Sequence, residues 1–212
     1  MPMPLPPVGS PAVETGTPRR RVGRAEREQQ ILRAAVAVFA ERGFQNASMD
    51  AVAERVGVTK PMLYTHFGSK DGLLLACVAR ARADLLEVTT AAAAAARTPE
   101  EMLRRRTAAF FDYLDRHEPA WTVICAESTV AGEALEGIRA QQTESIADLL
   151  AVQVPGADPQ RLAGWAQVIV SACERLAVWR GRDRTITAEQ ATDYLMDLVW
   201  TGLAAAGTGT AT

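Results

Sequence analysis

Residues 48 to 70, SMDAVAERVGVTKPMLYTHFGSK, limit what this chain can fold into more than any other stretch, because they write two short helices around a tight turn. Ser48 is a good N-cap for the first, and Val52, Ala53 and Val56 share one face of it. Gly57 stands where a helix must stop in a left-handed conformation that glycine adopts without steric cost. Thr59 can cap the second helix, and Pro61 is tolerated in its first turn. Leu63 and Phe67, four residues apart, face inward and leave Lys60, Tyr64 and His66 outside. Ala53, Gly57 and Leu63 have the offsets of a helix-turn-helix, whose second helix enters a DNA major groove. A surface helical hairpin has the same offsets and stays open at this point.

The formal net charge of -2 argues against a nucleic-acid partner until its distribution is considered. Residues 19 to 82 carry 12 Lys and Arg against 6 Asp and Glu, whereas the remainder carries 11 against 19. A basic N-terminal third on an acidic remainder suits a DNA-facing module attached to a body held away from DNA.

Ahead of the helix pair, Pro2, Pro4, Pro6, Pro7, Pro11 and Pro18 predict a disordered tail over residues 1 to 18. Arg19, Arg20, Arg21 and Arg24 follow, either as an arm for phosphates and a minor groove or as a solubilising run. Ile31, Ala35, Val38 and Phe39 recur at helical steps and predict a helix over 24 to 42 that Gly43 ends. Ser69 caps a long helix with Leu73, Leu74, Cys77, Val78, Leu85 and Leu86, which would run out of the small module into the body and link them. Thr98-Pro99-Glu100-Glu101 starts a helix that reaches His117, and further helical stretches cover 120 to 129 and 132 to 152. Asp158-Pro159 starts the next, and Thr187 with Gln190 makes a capping box for the last. Trp165, Ile169 and Leu176 on one, and Tyr194 and Leu198 on the other, alternate with small residues, a pattern for packing within the chain or across a two-fold axis. With no period-two stretch, the chain reads as all-α with about nine helices. The expected organisation is a tail over 1–18, a three-helix DNA-binding domain over 19–68, a helical body over 69–206 and a frayed end over 207–212.

Several classes fall away. Cys77, Cys125 and Cys173 are odd in number and far apart, with only His66 and His117 beside them, so neither a disulfide framework nor a metal-ligand spacing is written. Buried thiols in a reducing cytoplasm are expected. The N-terminus lacks the apolar region of a secretory signal, and no apolar run reaches the roughly 18 residues a membrane span needs. Paired carboxylates, or a nucleophile with its base, are missing, so no enzyme and no cofactor are expected.

Residues 31 to 74, and above all Gly57-Val58-Thr59-Lys60, Leu63-Tyr64, His66-Phe67 and Ser69-Lys70, closely resemble the N-terminal signature of TetR-family transcriptional regulators. The resemblance implies phosphate contacts from Ser48, Thr59, Tyr64 and His66, entry of Lys60 into the groove, and a phosphate on Lys70 at the next helix start. The residue chemistry agrees, since helix N-termini favour anions and Lys, Tyr and His donate to phosphate oxygens. Pro61 and Met62 offer only apolar contact, for example to a thymine methyl. The family further implies a homodimer built on the last two helices, a palindromic double-stranded operator and a small effector. Trp165, Ile169, Leu176, Tyr194 and Leu198 are the interface candidates. Phe110, Tyr113, Leu114, Trp121 and Ile124 form an aromatic and aliphatic cluster next to the linking helix, either an apolar effector pocket or ordinary core. Glu127 and Arg175 rank as surface charges before polar anchors. The aromatic-rich start of the body is similar to a lipid- or acyl-CoA-responsive subgroup. A repressor is the expected function, with an activator of the same fold or a helical adaptor without DNA binding as the alternatives.

Overall fold

The computed structural model describes residues 23–117, 129–183 and 185–208, and they form eight helices with no strand among them. These are α1 Arg24–Asn46, α2 Met49–Val56, α3 Lys60–Phe67, α4 Lys70–Ala94, α5 Pro99–Arg116, α6 Thr129–Gln153, α7 Pro159–Arg182 and α8 Ala188–Thr208. The helix expected over 120 to 129 and the proline-rich tail lie outside the described residues, apart from Thr129, which opens α6. α8 keeps helical geometry to Thr208, inside the stretch expected to fray from Gly207.

Local chemistry sets most boundaries. Ser48 Oγ accepts from the Ala51 N–H at 3.2 Å, and Ser69 Oγ accepts from that of Gly72 at 2.9 Å. Thr187 and Gln190 exchange side-chain to backbone hydrogen bonds at 3.1 and 2.9 Å, the reciprocal box expected of them. Thr59 departs from expectation. It occupies the N-cap position of α3, yet its hydroxyl makes no capping bond. Pro61 has no N–H to offer, and the Met62 N–H already donates to the Thr59 carbonyl at 3.1 Å. Gly43 interrupts α1 with φ 72° and ψ 154°, and the helix resumes to Asn46 beyond the kink. Phe44 folds back edge-on to Phe39 with ring centroids 5.5 Å apart.

The first core joins Ile31, Ala35, Val38 and Phe39 of α1, Val52 and Ala53 of α2, Leu63 of α3, and Leu73, Leu74, Cys77 and Val78 of α4. Three short helices bury little surface alone, and α4 completes their core. A second core joins α5 to α8 through Leu103, Ile146, Leu150, Ile169 and Leu195. A third packs Leu85 of α4 against Phe111, Leu114, Ala177 and Ala191. α4 is therefore built into both ends of the molecule, with Leu73–Ala81 in the first core and Leu85 in the third. Cys77 is sealed in the first core, and burial pushes its thiol, like that of Cys173, up to about 12. Among the described residues no helix is long and apolar enough to cross a membrane.

Candidate nucleic-acid interface and effector cavity

α3 is presented by its two ends and one anchor. Gly57 turns the chain with φ 74° and ψ 38°, and its N–H donates to the Ala53 carbonyl at 2.9 Å. Leu63 is completely buried, which orients the rest of the helix outward. Thr59, Lys60, Pro61, Met62, Tyr64, Thr65 and His66 are all exposed, and Ser48 is exposed at the N-terminus of α2. The uncapped Thr59 hydroxyl is available to an anion at that helix N-terminus. Ser48 accepts with its oxygen when it caps α2, which leaves its hydroxyl hydrogen to donate. Lys60 Nζ donates to Asp50 at 2.8 Å across the turn, and this hydrogen bond holds the ammonium above the usual lysine range. Both partners are exposed, so a phosphate can replace the carboxylate at little cost.

Lys70 has a different place from the one its motif implied. Its ammonium donates to the carbonyls of Phe44, Gln45 and Ala47 at 2.9, 3.2 and 3.1 Å and lies 4.5 Å from the centroid of the Phe44 ring. The kink at Gly43 brings those carbonyls to the start of α4, and all three ammonium hydrogens have acceptors there. Lys70 thus ties the α1–α2 junction to α4, and no donor remains for a phosphate. Lys70→Met is expected to lower the unfolding free energy by about 2 kcal/mol, read from the urea midpoint at constant slope.

Gly72 had no role in the sequence reading. A Cβ on it would lie 2.1 Å from the Phe67 carbonyl oxygen, which also accepts from the Ser69 N–H at 2.8 Å. The end of α3 is therefore pressed directly onto the first turn of α4. The available signal was a glycine inside the first turn of a well-capped helix, where every residue except proline has a better propensity.

In the body, a small cavity of about 60 Å³ between α4, α5, α6 and α7 opens to the surface. Thr89, Arg106, Phe110, Ile146 and Val170 line it. A second cleft lies where α1 meets α4 and α5, lined by Leu32, Val36, Cys77, Arg80, Tyr113 and His117. The described members of the expected pocket group, Phe110, Tyr113 and Leu114, share the third core, and the first two border different cavities. Phe110 lines the first cavity, whereas Tyr113 lines the second, donates to the Ala81 carbonyl at 3.2 Å and stacks on His117 at 4.1 Å. Leu114 packs in the third core beside Leu85 and Ala177. Trp121 and Ile124 lie outside the described residues.

Residues 31–77 match the bacterial regulatory proteins of the tetR family, and residues 99–202 match a tetracyclin-repressor-like C-terminal domain. The HTH-type transcriptional activator FasR of Mycolicibacterium smegmatis is 31% identical over 189 residues, covering 86% of this chain and 85% of that protein. The chain belongs to the TetR family. It is a helix-turn-helix transcription regulator, and the family is one of regulators rather than enzymes. A TetR-like regulator from Rhodococcus sp. RHA1 superposes with a TM-score of 0.70 at 36% identity, covering 87% of this chain and 99% of that one. The regulator FadR from Bacillus subtilis, solved in complex with stearoyl-CoA, reaches 0.71 at 18% identity over 82% of this chain and 98% of that one, a likeness of fold alone.

On this TetR-family body, the five interface candidates separate by burial. Ile169 is 3% exposed inside the second core, so it has nothing to offer a partner and leaves the set. Leu176 and Trp165 are half-buried against the same core, and the Arg161 guanidinium covers the Trp165 ring at 4.7 Å. Tyr194 and Leu198 are 46% and 80% exposed. The interface candidates leave out two exposed residues of α7. Val168 and Trp179 are exposed on α7, eleven residues apart and so nearly in line on one face, and the Trp179 ring lies 6.4 Å from that of Tyr194.

Proposed function

We propose that the chain is an effector-controlled regulator that binds a palindromic operator as a homodimer through α3 and is released when a small apolar effector enters the body. The observation that carries this is α3 itself, which is held by one buried leucine and turns Thr59, Lys60, Tyr64 and His66 to solvent. Eight residues make a helix of about 12 Å, enough to read only a few base pairs. Useful specificity then needs two copies whose α3 helices meet grooves about 34–36 Å apart. Phosphate contacts from Ser48, Thr59, Tyr64 and His66 position the pair, Pro61 faces the bases, and Lys60 enters the groove, where its charge also neutralises phosphate.

The two-fold partner sits on the apolar strip of Val168, Trp179, Tyr194 and Leu198, with Trp165 and Leu176 at its edge. Leu198→Asp is expected to give a monomer at micromolar concentration in analytical ultracentrifugation, with unfolding changed by less than about 0.5 kcal/mol because the side chain is already exposed. An unaltered dimer would move the interface elsewhere.

Release works through α4. An effector that shifts α4 within the body moves its N-terminal half, which completes the first core, and so changes the spacing of the two α3 helices. The effector must bind the released form more tightly, or the equilibrium does not move. A lipid-like effector suits the apolar walls of Phe110, Ile146 and Val170, and the FadR relative in complex with stearoyl-CoA is consistent with that class. The regulator acts in the cytoplasm, where its operator is.

Release by an effector makes a repressor wherever the operator overlaps a promoter. Activation is the second reading, favoured by the FasR relative, an activator that aligns with 86% of this chain. DNase footprinting on the DNA flanking the protein's own gene, followed by transcription from that fragment, tests both readings. A palindromic footprint is expected, and the sign of the transcript change decides between them. No protection at low salt from folded, dimeric protein would overturn the proposal.

A further inference from the structure

α5 carries three consecutive arginines, and their surroundings differ. Arg104 pairs with Asp193 at 2.5 Å, and Arg105 pairs with Glu101 at 2.6 Å. Arg106 has no carboxylate among the described residues. Its one hydrogen bond to another side chain goes to the neutral Ser145 hydroxyl at 3.0 Å. Arg106 also lines the body cavity, beside Phe110, Ile146 and Val170. A guanidinium has five donors, and a cation withdrawn from water without a counter-charge is unfavourable. Burial accordingly pulls its pKa below the usual arginine value. No buried side-chain nitrogen or oxygen among the described residues lacks a partner, so the remaining donors of Arg106 open onto accessible space instead of packed protein.

The other polar groups of the cavity do not cancel this charge. Glu174 is the one acid of its lining, and Arg139 Nε donates to both of its oxygens at 3.1 and 3.0 Å. Cys173 stays a neutral thiol, because burial pushes it up to about 12. Thr89 and Thr107 are uncharged, and the Thr89 hydroxyl already donates to the Leu85 carbonyl at 2.9 Å. Among the described residues, the cavity thus combines apolar walls with one cation that has no carboxylate partner.

The geometry points to an amphipathic monocarboxylate as the effector, with its apolar chain against Phe110, Ile146 and Val170 and its carboxylate on the Arg106 guanidinium. This rests on the reading that the body cavity takes the effector, and it adds the charge of the ligand and the residue that selects it. A carboxylate matches the guanidinium fork with two parallel hydrogen bonds, which an alcohol cannot. Because the Arg106–Ser145 bond joins α5 to α6, capture of the guanidinium by a ligand also alters that contact.

Calorimetric titration of the full-length protein with butanoate and with butan-1-ol, short chains of equal length that differ in charge, tests the inference. The wild type should bind butanoate at least about tenfold more tightly than the alcohol. Arg106→Met should abolish that preference by weakening butanoate while keeping the alcohol. Arg106→Lys, which retains charge and length, should keep part of it and serves if the methionine variant does not fold. Equal binding of acid and alcohol by the wild type would overturn the anchor and leave the apolar effector reading intact. Binding of neither would overturn both. A butanoate preference that survives in folded Arg106→Met would place the carboxylate elsewhere and sink the assignment.

Discussion

Lys60→Ala combined with Tyr64→Ala is expected to lower operator affinity about a thousandfold while leaving the dimer and the fold in place. Each half-site loses one charge-assisted contact and one from the phenol, and a dimer loses both twice. At about 1 kcal/mol per contact the four together reach roughly 4 kcal/mol, or a factor of about 10³. The folding cost is small because both side chains are already largely in water, Lys60 at 47% and Tyr64 at 44% exposed. The loss is aggravated by Asp50, whose carboxylate is left unpaired beside the DNA once its ammonium partner is removed. Two measurements separate this from general damage. The slope of log affinity against log salt should become shallower by about 2, one cation per protomer. Asp50→Asn, which frees Lys60 and removes the repulsion, should raise affinity instead. An unchanged salt slope in the double variant would mean that Lys60 does not meet the phosphates.

Gly72→Ala gives the second large effect, and its sign is what matters. Helix propensity alone predicts stabilisation, since alanine is favoured over glycine inside a helix by up to about 1 kcal/mol. Packing predicts the reverse. The added methyl would meet the Phe67 carbonyl oxygen at 2.1 Å, and a backbone oxygen cannot rotate away like a side chain. α3 and α4 must separate, and we expect a net loss of about 3 kcal/mol in urea unfolding, at the upper end of overpacking costs. Operator affinity should fall further than the lost stability explains, because the displaced element is the reading helix. Gly57→Ala is the contrast. Nothing lies within 4 Å of its added methyl, and only the positive φ of 74° opposes it, worth about 1–2 kcal/mol. A Gly72→Ala protein as stable as the parent would show that the joint yields.

Much of the reading head was legible because its determinants are local. Ser48, Gly57 and Ser69 act on residues within four positions of themselves, and each took the expected place. Thr59 shows the limit even at that range. Its cap fails because two neighbours withdraw both donors at once, one by being proline and one by bonding the backbone.

The misplacements share another cause. Lys70 and its three carbonyl acceptors are 23 to 26 residues apart, so no window around the lysine contains them. Phe110 and Tyr113, one turn apart on α5, stay in one core, yet the first also borders the cavity among the body helices and the second the cleft between α1, α4 and α5. α7 is apolar on more than one side, so periodicity alone cannot say that Ile169 turns into its own core while Val168 and Trp179 stay outside.

The sequence by itself determined where helices start and stop, that they form no sheet, and which helix carries the groove-facing side chains. Those features follow from capping, backbone freedom and a single period, all of which act over one or two turns. Only the tertiary structure decided that Lys70 holds two helices together, that Gly72 must lack a side chain, and that Arg106, alone among three consecutive arginines, has no carboxylate partner among the described residues. In each case the physics is a contact between distant segments, and chemistry written in one residue is settled by what the fold places against it.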